Sequence, residues 1–156
     1  MIREIVDNLA QTAIENLTRD GYLFPMGFLI GENGVASIVP LAFDSPAMKA
    51  ASICMLGSIA NEGGWDTVVL ISDTCMVVRP AGSPDGPRPA EDPSHTEAIL
   101  VSVKHRDGRA SCLIVPYTRD KDKKVASFGE TKRFDDGQQF AIGLMDGVFP
   151  KQHTEH

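Results

Sequence analysis

Two stretches of the chain carry the hydrophobic spacing of helices. Across residues 2–19, apolar side chains recur every three or four positions, which predicts an amphipathic helix that Asp20-Gly21 ends. Ser45-Pro46 starts a second helix, predicted to run to about residue 60, because a capping side chain precedes a proline at the first helical position. This second segment is apolar on nearly every side, so we predict a buried central helix.

The other apolar runs have the pattern of strands. Asn33-Gly34 and the turn at residues 106–109 each lie between two such runs, and both are strong hairpin signals because their residues tolerate positive φ. A run near the C-terminus is interrupted at Gly129, and a short helix is predicted over residues 138–145. The predicted strands are residues 22–30, 35–43, 67–78, 96–105, 110–117 and 125–134.

A proline-rich segment separates two of these strands. Five of the chain's ten prolines lie within residues 79–95, so neither a helix nor a central strand can form there. Long loops of this kind in compact domains are usually functional or disordered. Because the strands on either side fit one sheet, we predict a single domain over residues 1–150 that contains this loop. A flexible tail is predicted at residues 151–156.

The order of elements, α-β-β-α-β-loop-β-β-β-α, predicts an α+β fold. We expect a single, mostly antiparallel sheet of five or six strands with an N-terminal amphipathic helix and a buried central helix. This order is similar to that of profilin-like and roadblock-type domains. The segments 71–75, 91–97 and 116–119 also resemble a group of small phage and bacterial proteins. That resemblance implies a phage or bacterial accessory protein and no particular activity.

Composition narrows the classes of partner. The net charge of −6 argues against general binding to phosphate backbones or anionic lipid, so nucleic acid and membrane are not expected partners. The first residues carry acids where a signal peptide needs a basic region, and no apolar run approaches the roughly 20 residues of a membrane span. Cys54, Cys75 and Cys112 lie in apolar segments, which predicts buried, reduced thiols in a cytoplasmic protein.

Asp73 is the most unusual polar residue in a predicted strand. It lies between two apolar runs, although aspartate is depleted in strands. Its neighbours Ser72 and Thr74 should point to the opposite face of the sheet. A buried carboxylate needs hydrogen-bonding partners or a raised pKa, so Asp73 could be an acid in a pocket. An exposed edge position or a bulge is the alternative.

A second set of candidates lies where the proline-rich loop meets the next strand. Asp92, His95 and Glu97 could provide binding or acid–base groups there, although solvated loop ends are more common. His95 and His105 bracket a ten-residue strand, which separates them by roughly 33 Å and excludes a shared metal ion. No metal-ligand spacing, nucleophile motif or phosphate loop occurs in the sequence, so we predict no metal, cofactor or catalytic residue.

The sequence therefore favours a non-enzymatic protein that binds another protein and forms a homo-oligomer, most simply a homodimer. The proline-rich loop beside a regular sheet would present an adaptable surface on a rigid scaffold. The alternative is a hydrolase-like enzyme or a small-ligand-binding protein that uses Asp73, Glu97 and either His95 or His105. In that case the loop at residues 79–95 would act as a lid.

Overall fold

The computed structural model describes residues 2–34, 36–76 and 95–135, which form two helices and seven strands. The α+β prediction is confirmed. The elements are α1 (Ile2–Asp20), β1 (Met26–Ile30), β2 (Ala36–Pro40), α2 (Pro46–Glu62), β3 (Thr67–Met76), β4 (Thr96–His105), β5 (Ala110–Arg119), β6 (Val125–Phe128) and β7 (Lys132–Phe134).

The strands form one antiparallel sheet in the order β2-β1-β3-β4-β5-β6, and β7 also pairs with β5. The sheet has one strand more than the predicted five or six, because the run over residues 125–134 divides at Gly129 into β6 and β7. The Gly129 N–H donates to the carbonyl oxygen of Pro116, and β6 and β7 then pair with different parts of β5. The predicted interruption is therefore correct, and its consequence is an additional short strand.

Helix α1 covers one face of the sheet, called here the α1 face. Its buried side chains, Val6, Ala10, Ala13 and Leu17, follow the predicted helical spacing. They belong to one core cluster with strand residues that include Val69, Ile71, Val101 and Val115. Gly21 ends the helix with φ of 78°, and its N–H donates to the carbonyl oxygen of Leu17.

Helix α2 packs on the opposite face, called here the α2 face, and begins as predicted. The Ser45 hydroxyl accepts a hydrogen bond from the Met48 N–H, and Pro46 occupies the first turn. Leu56 is fully buried in a small cluster with Leu29, Val68 and Leu70. A Cβ at Gly27 would lie 2.7 Å from a methyl carbon of Leu56, so this glycine provides the space that Leu56 fills.

The predicted burial of the central helix is wrong. Among α2 residues, Leu56, Gly57 and Ala60 are buried, whereas Met48, Met55 and Ile59 are exposed. The reason is that only one side of α2 contacts the sheet. The predicted burial of the thiols is correct only for Cys112, since Cys75 is half-buried near the end of β3 and Cys54 is exposed on α2.

Several predicted features fall outside the described residues. These are the end of the strand predicted over residues 67–78, most of the proline-rich loop, the helix at 138–145 and the tail at 151–156. Within residues 2–34, 36–76 and 95–135, neither helix combines the length and the apolar run that a bilayer crossing requires.

Candidate functional site

Four polar side chains meet on the α1 face, at one end of strands β3, β4 and β5. They are Asp73, Glu97, Tyr117 and Arg119, and we call them the polar cluster. Strand register brings them together, since Glu97 lies opposite both Cys75 on β3 and Tyr117 on β5. Side chains alternate between the two faces along β3, so Asp73 lies on the α1 face, and Ser72 and Thr74 lie on the other face, as the sequence predicts.

Short hydrogen bonds connect the members of the polar cluster. The Tyr117 hydroxyl donates to Asp73 Oδ1 at 2.6 Å, and Arg119 Nε donates to Glu97 Oε2 at 2.8 Å. Arg119 also donates to the Tyr117 hydroxyl oxygen at 3.3 Å, and its guanidinium carbon lies 5.4 Å from the centre of the tyrosine ring. Each carboxylate therefore has a donor within the protein.

Arg119 extends the polar cluster to two neighbouring segments. Its Nη1 atom donates to the carbonyl oxygen of Gly21, immediately after α1, at 2.9 Å. The same atom donates to the carbonyl oxygen of Lys123, in the turn between β5 and β6, also at 2.9 Å. A single guanidinium thus joins the end of α1, strand β4 and the β5–β6 turn, which is a structural use of its donors.

Burial controls the protonation of the polar cluster. It raises the pKa of Asp73, the negative charge of Glu97 adds to this effect, and the hydrogen bond from Tyr117 opposes it. Burial also raises the pKa of Tyr117, and the Asp73 carboxylate, which accepts the hydrogen bond of the Tyr117 hydroxyl, raises it further. The pKa of the nearby Cys75 thiol is raised by burial and by both carboxylates, which disfavours a reactive thiolate.

We expect Asp73→Asn to become more stable relative to the wild type as the pH rises above about 4. Because the pKa of Asp73 is raised above its ordinary value of 3.8, the folded chain keeps a proton that the unfolded chain has already lost. The contribution of Asp73 to stability is therefore complete at low pH and declines as the pH rises through the raised value. Asparagine cannot titrate, so urea unfolding of both proteins at several pH values measures the difference.

Asp107→Asn is the control of opposite sign. The backbone N–H and the guanidinium of Arg109 hold the pKa of Asp107 below its ordinary value. The stabilisation that Asp107 provides is therefore present at neutral pH and lost on acidification. A difference between wild type and Asp73→Asn that is constant with pH would contradict the raised pKa of Asp73.

The candidate site residues predicted from the sequence do not all lie together. Asp73 and Glu97 meet in the polar cluster, but His105 lies opposite Thr67, six residues along β3 from Asp73, or about 20 Å away. Its Nδ1 atom is 3.0 Å from the Thr67 hydroxyl. The proposed use of His105 beside Asp73 and Glu97 is therefore wrong. His95 is exposed just before β4, and Asp92 lies outside the described residues.

Tyr117 and Arg119 are members of the polar cluster that the sequence does not single out. The signal was present, because the tight turn at residues 106–109 fixes the β4–β5 register and places residue 117 opposite Glu97. Considered alone, both residues belong to an ordinary strand end. As for a metal centre, no group of three histidine, cysteine or acidic side chains suited to holding an ion occurs within the described part of the chain.

A second candidate surface is apolar and lies on α2. Met48, Met55 and Ile59 follow one another at intervals of seven and four residues, which places them along one side of the helix. We call them the α2 stripe. Between 38% and 45% of each side chain is exposed to solvent. Lys49, on the neighbouring side, lies 5.2 Å from the centre of the Phe43 ring. The α2 stripe can therefore accept another apolar surface.

Comparison with known proteins tests both resemblances found in the sequence. No curated protein and no solved structure matches the chain, so the similarity to profilin-like and roadblock-type domains is not confirmed. A family model described as Bacteriophage lambda protein ea47 matches residues 1–156, the whole of the chain. This supports the phage part of the resemblance found in the sequence. The chain therefore belongs to the phage protein family described as Bacteriophage lambda protein ea47.

Proposed function

We propose that this chain is a phage accessory protein that binds another protein through the α2 stripe. The observation that carries the proposal is the exposure of Met48, Met55 and Ile59 on a helix that is apolar on nearly all sides. A helix that only covers a sheet normally turns a polar side to water. Exposed apolar groups that lie together mark interaction surfaces, whereas isolated ones are ordinary.

The chemistry of the α2 stripe indicates the kind of partner. Methionine side chains are flexible and polarizable, so they adapt to differently shaped apolar surfaces. Lys49 and Glu62 are the only charged residues of α2, so this helix offers few charges for pairing. An amphipathic helix or a shallow apolar groove of another protein fits this surface best.

The polar cluster gives less support to an enzyme. Tyr117 and Arg119 already donate to Asp73 and Glu97, and Arg119 also binds two backbone carbonyl groups. A general acid or base must reach a substrate, but these groups are engaged with each other and with the backbone. Their contacts are those of a cluster that joins structural elements.

A pull-down from extract of phage-infected cells tests the proposal. Met48→Glu combined with Met55→Glu places two charges on the α2 stripe, and glutamate at residue 48 would form a capping box with Ser45 that supports the helix. We expect a protein recovered with the wild type to fall at least tenfold with this double variant. Ala50→Glu is the matched control, since Ala50 is exposed on another side of the same helix.

A deletion within the proline-rich loop shows whether the partner binds the α2 stripe or the loop. The proline-rich loop was the surface expected from the sequence, so deletion of residues 83–92 is measured in the same experiment. Loss of the partner with the deletion alone would assign binding to the loop and contradict the α2 stripe. Equal recovery with all four proteins, or no specific recovery with the wild type, would reject the proposed function.

A further inference from the structure

Strand β2 forms one edge of the sheet, and its outward groups can be identified from its pairing. The Leu41 N–H donates to the carbonyl oxygen of Pro25, so Leu41 directs its backbone polar groups toward β1. Backbone direction alternates along a strand, so Ser37 and Val39 also face β1. The N–H and C=O groups of Ala36 and Ile38 and the C=O of Pro40 therefore point outward.

This edge lacks the charged side chains that commonly protect exposed edges against pairing. No strand within the described residues lies against the outer side of β2. Residues 35–43 contain no charged side chain, although exposed edges commonly carry lysine or another charge. Ile38 lies opposite Phe28, so its side chain is on the α1 face, yet 61% of it is exposed. A proline at residue 40 is compatible with an edge strand.

We propose that a second copy of this chain pairs with β2, antiparallel across a two-fold axis at Ile38. In this register the Ile38 N–H and C=O groups of the two copies bond reciprocally. Each Ala36 N–H meets the carbonyl oxygen of Pro40 of the partner subunit. Four hydrogen bonds form, and the two Ile38 side chains lie next to each other on the same face. The two seven-stranded sheets become one continuous sheet.

The symmetry of the outward backbone groups favours a second copy as the partner of β2. The net charge of −6 opposes the association of two copies, and an edge without charged side chains is where this repulsion costs least. A two-fold axis needs a surface that is complementary to itself, and the outward groups of Ala36, Ile38 and Pro40 meet this condition. The proposed dimer uses backbone groups of β2 and does not use the α2 stripe.

Sedimentation equilibrium over a range of protein concentrations tests the dimer. Ile38→Pro removes the outward N–H and leaves the bonds of Ser37 and Val39 to β1 in place, since edge strands tolerate proline at such positions. We expect the wild type to reach the dimer mass and Ile38→Pro to raise the dissociation constant about tenfold or more. Ile38→Val keeps both the N–H and the branched side chain, and should dimerise like the wild type.

Ile38→Lys and the Met48→Glu/Met55→Glu variant complete the test of the dimer. If circular dichroism shows that Ile38→Pro does not fold, Ile38→Lys replaces it, because it preserves the backbone donor and places like charges opposite each other. Ile38→Lys should likewise raise the dissociation constant of the dimer. The Met48→Glu/Met55→Glu variant should remain dimeric. A monomeric wild type at all concentrations, an unchanged dissociation constant for both Ile38→Pro and Ile38→Lys, or dissociation caused by the α2 variant would overturn the proposal.

Discussion

Replacing Leu56 with alanine is expected to lower the free energy of unfolding by about 2–5 kcal/mol. Leu56 is fully buried and belongs to the cluster that joins α2 to Leu29, Val68 and Leu70. Gly27 provides the space for this side chain, so truncation would leave a cavity between helix and sheet. Urea unfolding followed by circular dichroism measures the loss.

Met55→Ala is the matched control, because it removes a side chain of similar size from the adjacent, exposed position. Its effect on the free energy of unfolding should be below about 0.5 kcal/mol. In the pull-down, by contrast, Met55→Ala should weaken capture while the fold stays intact. Equal destabilisation by the two variants would show that Leu56 does not anchor α2 to the sheet.

The sequence predicts the elements of the fold well where local signals agree. The stripe from residue 2 to residue 19 gives α1, Ser45-Pro46 gives the start of α2, and the two hairpin turns give four of the strands. These signals are local: a cap, a turn or a hydrophobic period is satisfied by residues close in the chain. Gly129 likewise marks the division between β6 and β7 correctly.

Burial of α2 could not be predicted in the same way. Apolar composition indicates that a helix has surfaces to remove from water, but it does not say whether the same chain or another one covers them. Met55 and Leu56 are adjacent and similarly apolar, yet one is exposed and the other fully buried. The difference arises from Gly27 and the strands beneath α2, which are distant in the chain.

The polar cluster was predictable in part. Asp73 and Glu97 are conspicuous because carboxylates are uncommon in such strands, whereas Tyr117 and Arg119 resemble ordinary residues of an alternating strand. Their role depends on the side-by-side register of β3, β4 and β5, which brings Asp73 within reach of a tyrosine 44 residues away. The same register places His105 opposite Thr67, at the far end of β3 from Asp73.

Replacing Arg119 with alanine is expected to lower the free energy of unfolding by about 2–3 kcal/mol, because several charge-assisted hydrogen bonds are lost together. The Glu97 carboxylate and the carbonyl oxygens of Gly21 and Lys123 lose their donor, and only 22% of the Arg119 side chain and 31% of the Glu97 side chain are exposed.

Arg109→Ala is the control, because it breaks an ion pair of similar length with Asp107. Since both of those side chains are more than half exposed, it should cost below about 1 kcal/mol. Chemical denaturation of both variants tests the contrast, and equal effects would remove Arg119 as the residue that joins α1, β4 and the β5–β6 turn.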